Sequence, residues 1–155
     1  METKHAIISE EDFRYLLSGA RPSLDLAWFA VDREGRVAGF TTAGFAEFPT
    51  LVLRDRATLN RAYSLVAEIP TEAPLFVGDT WMNWARKGLF GYDWDYNLGH
   101  PAPLPYRRQS VPARPILISD LPHDLFTWLS PIAFMTLSFA EACEIRVSDY
   151  FNDVI

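Results

Sequence analysis

The chain has 155 residues, 49% of them hydrophobic and 14% aromatic, with five Trp and eleven Phe, and carries a formal net charge of −6 at pH 7. A chain of this length forms one globular domain, residues 1–155, that buries about two-thirds of the surface its unfolded form exposes. The apolar content excludes a disordered chain, and the net acidity argues against nucleic-acid phosphate as the natural partner.

The opening METKHAIISEEDF carries acids where a secretory signal needs an apolar run. Ser9, followed by Glu10, Glu11 and Asp12, instead marks a helix start: the hydroxyl caps free amides and the acids oppose the positive helix end. Phe13, Leu16 and Leu17 then share one face, and Gly19 closes the helix. Leu24–Val31 and Val37–Thr42 are two apolar runs flanking Asp32-Arg33-Glu34-Gly35-Arg36, a hairpin in which Gly35 takes the positive φ. Both faces of the first run are partly apolar, which predicts a central strand.

Phe48–Leu53 reads as a short strand or extended lead-in. Asp55 caps a helix to Ile69, on which Leu59, Ala62, Tyr63, Val66 and Ile69 follow the 3.6-residue period and Pro70 ends it. Arg54, Arg56 and Arg61 near its start read as solvated cations, with capture of an anion as the alternative. Leu75–Val77 suggests another strand. Asp79 caps a helix from Thr80 to Lys87, ended by Gly88.

GLFGYDWDYNLGHP, residues 88–101, is the most chemically suggestive stretch. As a strand, Leu89–Tyr96 places Phe90, Tyr92, Trp94 and Tyr96 on a core face and Asp93 and Asp95 on an acidic outer face. Two neighbouring carboxylates with His100 returning from the loop are also a sketch of a metal or acid/base site. The plain strand reading is favoured, and among functional readings partner binding comes before chemistry, because Tyr, Trp and Asp beside a loop suit a recognition surface. The Pro/Gly-rich Asn97–Pro105 loop would present His100 and Tyr106, and Tyr106-Arg107-Arg108 with Arg114 forms a small basic patch that balances nearby acids.

Val111–Ile118 reads as a further extended segment that Pro112 and Pro115 restrict to an edge or irregular strand. Pro122 opens a helix carrying Leu125, Trp128 and Leu129, with His123-Asp124 as its polar start, and Pro131 ends it. Ala133–Phe139 and Glu144–Val147 read as closing strands. After Pro115 the acids Asp120, Asp124, Glu141, Glu144, Asp149 and Asp153 face the single base Arg146, an acidic surface. Cys143, the lone cysteine, reads as a small buried hydrophobe and gives no support to an oxidising compartment. The longest uncharged stretch, Leu125–Ala140, is broken by Pro131 and shorter than the roughly 20 residues of a membrane span, so no membrane association is expected and the cytoplasm is the expected compartment.

These elements predict an α+β domain: a mixed, mostly antiparallel sheet with several short helices packed on it. No nucleophile elbow, zinc-protease helix, phosphate loop, dinucleotide fingerprint or C-x-x-C pair is present. No catalytic residue, metal site or cofactor is therefore expected.

The hairpin WFAVDREGRVAGFTTAG, with GLFGYDW and PYRRQSVPARP, resembles stand-alone uncharacterised bacterial domains similar to the small acidic immunity proteins that accompany polymorphic toxins. The resemblance covers Trp28–Asp120 and implies a binding protein that occupies a toxin, with no chemistry of its own. On this reading the chain is a non-catalytic binding module for a basic protein, acting through Asp93, Asp95, Tyr96, His100 and Tyr106. The rival readings are a small hydrolase or metal-dependent enzyme built on Asp93, Asp95 and His100, and a ligand sensor with an aromatic pocket from Trp28, Trp81 and Trp94.

Overall fold

A computed structural model describes residues 8–19, 25–44, 46–71, 73–94 and 105–155. Among these residues the chain forms α1 (Glu10–Leu17), β1 (Ala27–Val31), β2 (Val37–Thr41), α2 (Arg56–Ala67), α3 (Thr80–Arg86), β3 (Phe90–Trp94), β4 (Tyr106–Ser110), α4 (His123–Leu129) and β5 (Glu144–Ile145). The strands make one sheet in the order β1-β2-β3-β4-β5. β2 and β3 run parallel, and the other neighbours are antiparallel. This is the α+β architecture, with a mixed and mostly antiparallel sheet, that the sequence implies.

The helix starts follow local chemistry. Ser9, Asp55 and Asp79 each accept a hydrogen bond from the backbone N–H three residues on, at Asp12, Thr58 and Met82, which satisfies an amide that has no partner within the helix. The far end of α2 is closed from a distance. Lys87, itself buried, donates from Nζ to the carbonyls of Val66 (3.2 Å) and Ala67 (2.5 Å), placing a cation where the helix dipole is negative. In the β1–β2 hairpin Gly35 has φ +80°, a conformation that strains a residue bearing Cβ.

Several predicted elements take other forms. Thr50–Leu53 is a 3₁₀ turn, not a strand. Leu75–Val77 is not a strand either, because Asn83 reaches back from α3 and bonds both backbone groups of Phe76, each at 2.7 Å. β4 occupies Tyr106–Ser110, a segment whose sequence reads as a basic patch in a loop. Ala133–Phe139 is irregular and meets β1 through the single bridge Val31–Ala133, while Val111–Ile118 takes the irregular form its prolines allow, with the single bridge Arg36–Leu117. Of the Glu144–Val147 strand only β5 forms, before a 3₁₀ turn at Val147–Asp149. Leu17 is exposed, so α1 buries a narrower face than its pattern suggests.

β1 is fully apolar on both faces because both faces are covered, although it lies last in the sheet order. Its free edge is met by the segment after α4: Val31 donates to Ile132 O (3.0 Å) and accepts from Phe134 N (2.9 Å). The expectation of a central strand was drawn from burial, and burial here comes from an irregular cover, not a neighbouring strand.

On one side of the sheet Trp28, Phe40 and Tyr92 stack in register across three strands, with centroid separations of 4.2 and 5.1 Å. Phe134 and Phe139 close over this stack from the carboxy-terminal segment. On the other side lie α2 and α3. Tyr63 of α2 donates to Ala27 O (2.6 Å), and Trp84 of α3 meets Phe29 edge-on at 5.5 Å. Trp84 lies flat over Gly39, where an added Cβ would come within 2.5 Å of its ring. The smallest residue at that point of β2 is what lets the helix approach the sheet.

A buried carboxylate ties the hairpin to the cover. Asp32, 4% exposed, accepts from Glu34 N (3.0 Å), Arg36 N (2.9 Å) and Phe139 N (2.8 Å). The last bond spans 107 residues of chain, so it fixes a tertiary contact as well as a turn.

Candidate functional site

Of the residues singled out by sequence, Asp95, Tyr96, His100 and the loop from Asn97 through Leu104 lie outside the described residues. Asp93 and Tyr106 lie within them, paired near the same end of the sheet: β3 and β4 place Asp93 opposite Arg107 and Trp94 opposite Tyr106.

Asp93 does not project freely from an acidic outer face. That side of β3 is covered by α3, and a chain of hydrogen bonds runs from Trp81 Nε1 to Thr41 Oγ1 (3.1 Å) and from that hydroxyl to Asp93 Oδ1 (2.7 Å). The carboxylate is half-buried and oriented by the fold.

Tyr106 is turned inward. It is 2% exposed, packs edge-on against Trp28 at 5.9 Å, accepts from Trp28 Nε1 (3.2 Å) and donates to Glu47 O (2.8 Å). Along β4 Tyr106 and Ser110 are buried while Arg107 and Gln109 are exposed, and the pairing with β3 shifts register between Gly91 and Tyr92. Tyr106 is a core residue, not one offered to a partner. Trp28 is likewise buried within the aromatic stack.

The acidic carboxy-terminal third is an exposed surface. The side chains of Glu141 and Glu144 are 74% and 57% exposed and reach Arg33 (3.6 Å) and Arg107 (3.4 Å). Asp149 and Asp153 are also exposed and make no ion pair among the described residues. Beside them Tyr150 is 38% exposed, its ring 5.3 Å from that of Phe134, and Met135, next in chain to Phe134, is 78% exposed. Cys143 is on this surface and exposed, contrary to the expectation of burial. Its carbonyl accepts from Arg108 N (2.9 Å), which holds the backbone at the sheet edge and turns the side chain outward. Among the described residues no group of three or more His, Cys, Asp or Glu is close enough to hold a metal ion.

A second feature lies where α2 packs on α4. A cleft of about 440 Å³ opens between them, lined by Arg54, Thr58, Arg61, Ala62 and Leu65 from one side and His123, Asp124, Leu125, Thr127, Trp128 and Pro131 from the other. Thr58, Arg61, Ala62 and Leu65 share one face of α2. Arg56 points elsewhere, donating to Ile8 O (3.2 Å). Arg54 donates to Leu51 O (3.3 Å) and to Trp128 O, and its guanidinium stands 5.5 Å over the Trp128 ring. Burial pulls the Arg54 pKa below its ordinary value, and the Asp55 charge opposes that shift. The helical spacing that brings Arg61 beside Ala62 and Leu65 is visible in the sequence. That α4 would face it is not.

The chain matches no protein-family model, no curated protein and no solved structure. Among the described residues no helix is long and apolar enough to cross a membrane.

Proposed function

We propose that this protein is a non-catalytic binding module that receives a basic protein partner on an acidic and aromatic surface. The observation that carries the reading is the exposed carboxy-terminal face. Glu144, Asp149 and Asp153 are exposed, Tyr150 is 38% exposed, and Arg146 is the one Lys or Arg after Pro115. Exposed carboxylates in the same segment as an exposed aromatic suit a docking surface, in which the ring supplies affinity and the charges supply steering.

Three described side chains with catalytic potential have structural roles: Asp32 holds three backbone amides, Asp93 holds Thr41, and Lys87 closes α2. In this reading Asp93, Asp95, Tyr96 and His100 are further candidate partner-binding residues. Tyr106 contributes from behind by fixing Trp28. The role is that of a cytoplasmic bacterial immunity-like protein, in line with the resemblance of its hairpin and loop segments to such proteins.

The test is capture of a partner by the tagged protein from its native host, followed by binding measurements with the purified pair. Asp149→Lys with Asp153→Lys removes two charges that make no ion pair among the described residues. Association should slow by about tenfold or more and become less sensitive to salt. An association rate unchanged by the double reversal would remove this face from the interface.

A further inference from the structure

We propose that the cleft between α2 and α4 binds a small amphipathic anion: a molecule with an apolar or aromatic body and a single carboxylate-type group. This site is separate from the acidic face, and the inference does not depend on the partner-binding reading.

Three observations converge on it. The first is size and lining. At about 440 Å³ the cleft falls within the range of small-molecule sites, and Ala62, Leu65, Leu125, Trp128 and Pro131 give it an apolar floor.

The second is the state of Arg54. Its guanidinium is partly desolvated yet pairs with no carboxylate among the described residues. Two of its five N–H groups are directed at the carbonyls of Leu51 and Trp128, and its plane is held over the Trp128 ring. Three donors remain on a cation whose position is already set, so an arriving carboxylate orders little that is not ordered beforehand. A charge-assisted bond to such a fork is among the stronger single contacts a protein offers an anion.

The third is Arg61. It lines the same cleft from α2 and makes no ion pair or hydrogen bond among the described residues. Two cations on one wall above an apolar floor match a ligand with an anionic head and an apolar body. Asp124, on the opposite wall, limits the head to a single negative charge and disfavours phosphate dianions.

The experiment uses ¹⁵N-labelled protein and phenylacetate as the probe. The readout is the indole N–H resonance of Trp128, assigned by its disappearance in Trp128→Phe. That N–H is buried and has no hydrogen-bond partner among the described residues, so its resonance reports the cleft wall. Phenylacetate should shift it saturably in the millimolar range or tighter. Two controls share half of its chemistry each: 2-phenylethanol has the body without the charge, and acetate has the charge without the body. Both should bind about tenfold more weakly.

Arg61→Gln should weaken phenylacetate by about fivefold to tenfold with the spectrum otherwise unchanged. Arg61 is exposed and makes no hydrogen bond or ion pair among the described residues, so this variant separates binding from folding. Arg54→Gln should weaken it at least as much. Equal binding of 2-phenylethanol, no saturable shift with phenylacetate, or an Arg61→Gln protein with unchanged affinity would each overturn the assignment.

Discussion

Replacing Gly39 with alanine adds one methyl group at the point where helix α3 lies closest to the sheet. An alanine Cβ there would stand 2.5, 2.6 and 2.8 Å from three carbons of the Trp84 ring, whereas carbons at rest sit about 3.5–4.0 Å apart. The ring must therefore retreat by about 1 Å. It is 4% exposed and closely packed, with Phe29 edge-on at 5.5 Å. Overpacking of this kind costs about 1–3 kcal/mol. Loosening the Trp84–Phe29 contact forfeits part of the ~0.5–1.5 kcal/mol such a pair supplies. Against this, alanine restricts the unfolded chain and returns about 0.4–1 kcal/mol. The net expectation is a loss of about 1–3 kcal/mol, centred near ~2, which for a domain of this size lowers Tm by roughly 4–8 °C at the centre of that range. Urea unfolding followed by circular dichroism and by tryptophan fluorescence measures it. The same substitution in a Trp84→Leu background should cost less than half as much, since leucine leaves room for the methyl. A Gly39→Ala protein within about 0.5 kcal/mol of wild type would show that α3 does not press on β2 as described.

Other consequences are equally open to measurement. Asp32→Ala should cost about 2–4 kcal/mol in urea unfolding, because three backbone amides at Glu34, Arg36 and Phe139 lose their acceptor; a loss under about 1 kcal/mol would mean that water replaces the carboxylate. Burial pushes the phenols of Tyr63 and Tyr92 well above the usual tyrosine value, and each is bonded to a backbone carbonyl that accepts only from the protonated form. The folded state thus holds protons that the unfolded state releases at about pH 10, so this stabilisation is complete below pH 10 and declines as pH rises further. Urea midpoints between pH 8 and 11.5 should fall on the alkaline side, and Tyr63→Phe with Tyr92→Phe should flatten that fall; an identical slope in the double variant would contradict the assignment. Cys143, exposed at the sheet edge, should react with a thiol reagent in the native protein, one equivalent per chain. Reaction only after denaturation would place the side chain inside.

Local chemistry in the sequence already carried the elements that depend on local chemistry. Ser9, Asp55 and Asp79 cap helices wherever they precede the right amides, and Gly35 turns the hairpin, because these effects act within four or five residues. The 3.6-residue period of α2 likewise sufficed to place Leu59, Ala62 and Val66 in the core. The alternation of Phe90 and Tyr92 was enough to assign their face of β3. Composition and these elements together settled the α+β class.

What lay beyond sequence depends on contacts across tens of residues. Asn83 captures Phe76 and cancels a strand; Asp32 reaches Phe139; Trp84 selects glycine at position 39. No pattern within either segment encodes its partner. The same holds for the candidate sites. Tyr106 looked like a loop residue until β4 paired with β3 and turned it toward Trp28. Asp93 kept its place but gained Thr41 and Trp81 as neighbours. Arg54 and Arg61 could be counted in the sequence, yet their chemistry changes only when α4 supplies the opposite wall and Trp128 the floor beneath Arg54. Charge and periodicity are properties of a segment and are legible along the chain. Desolvation and enclosure are properties of a packed pair, and the packing alone decided which charged residues stayed in water and which came to line a cleft.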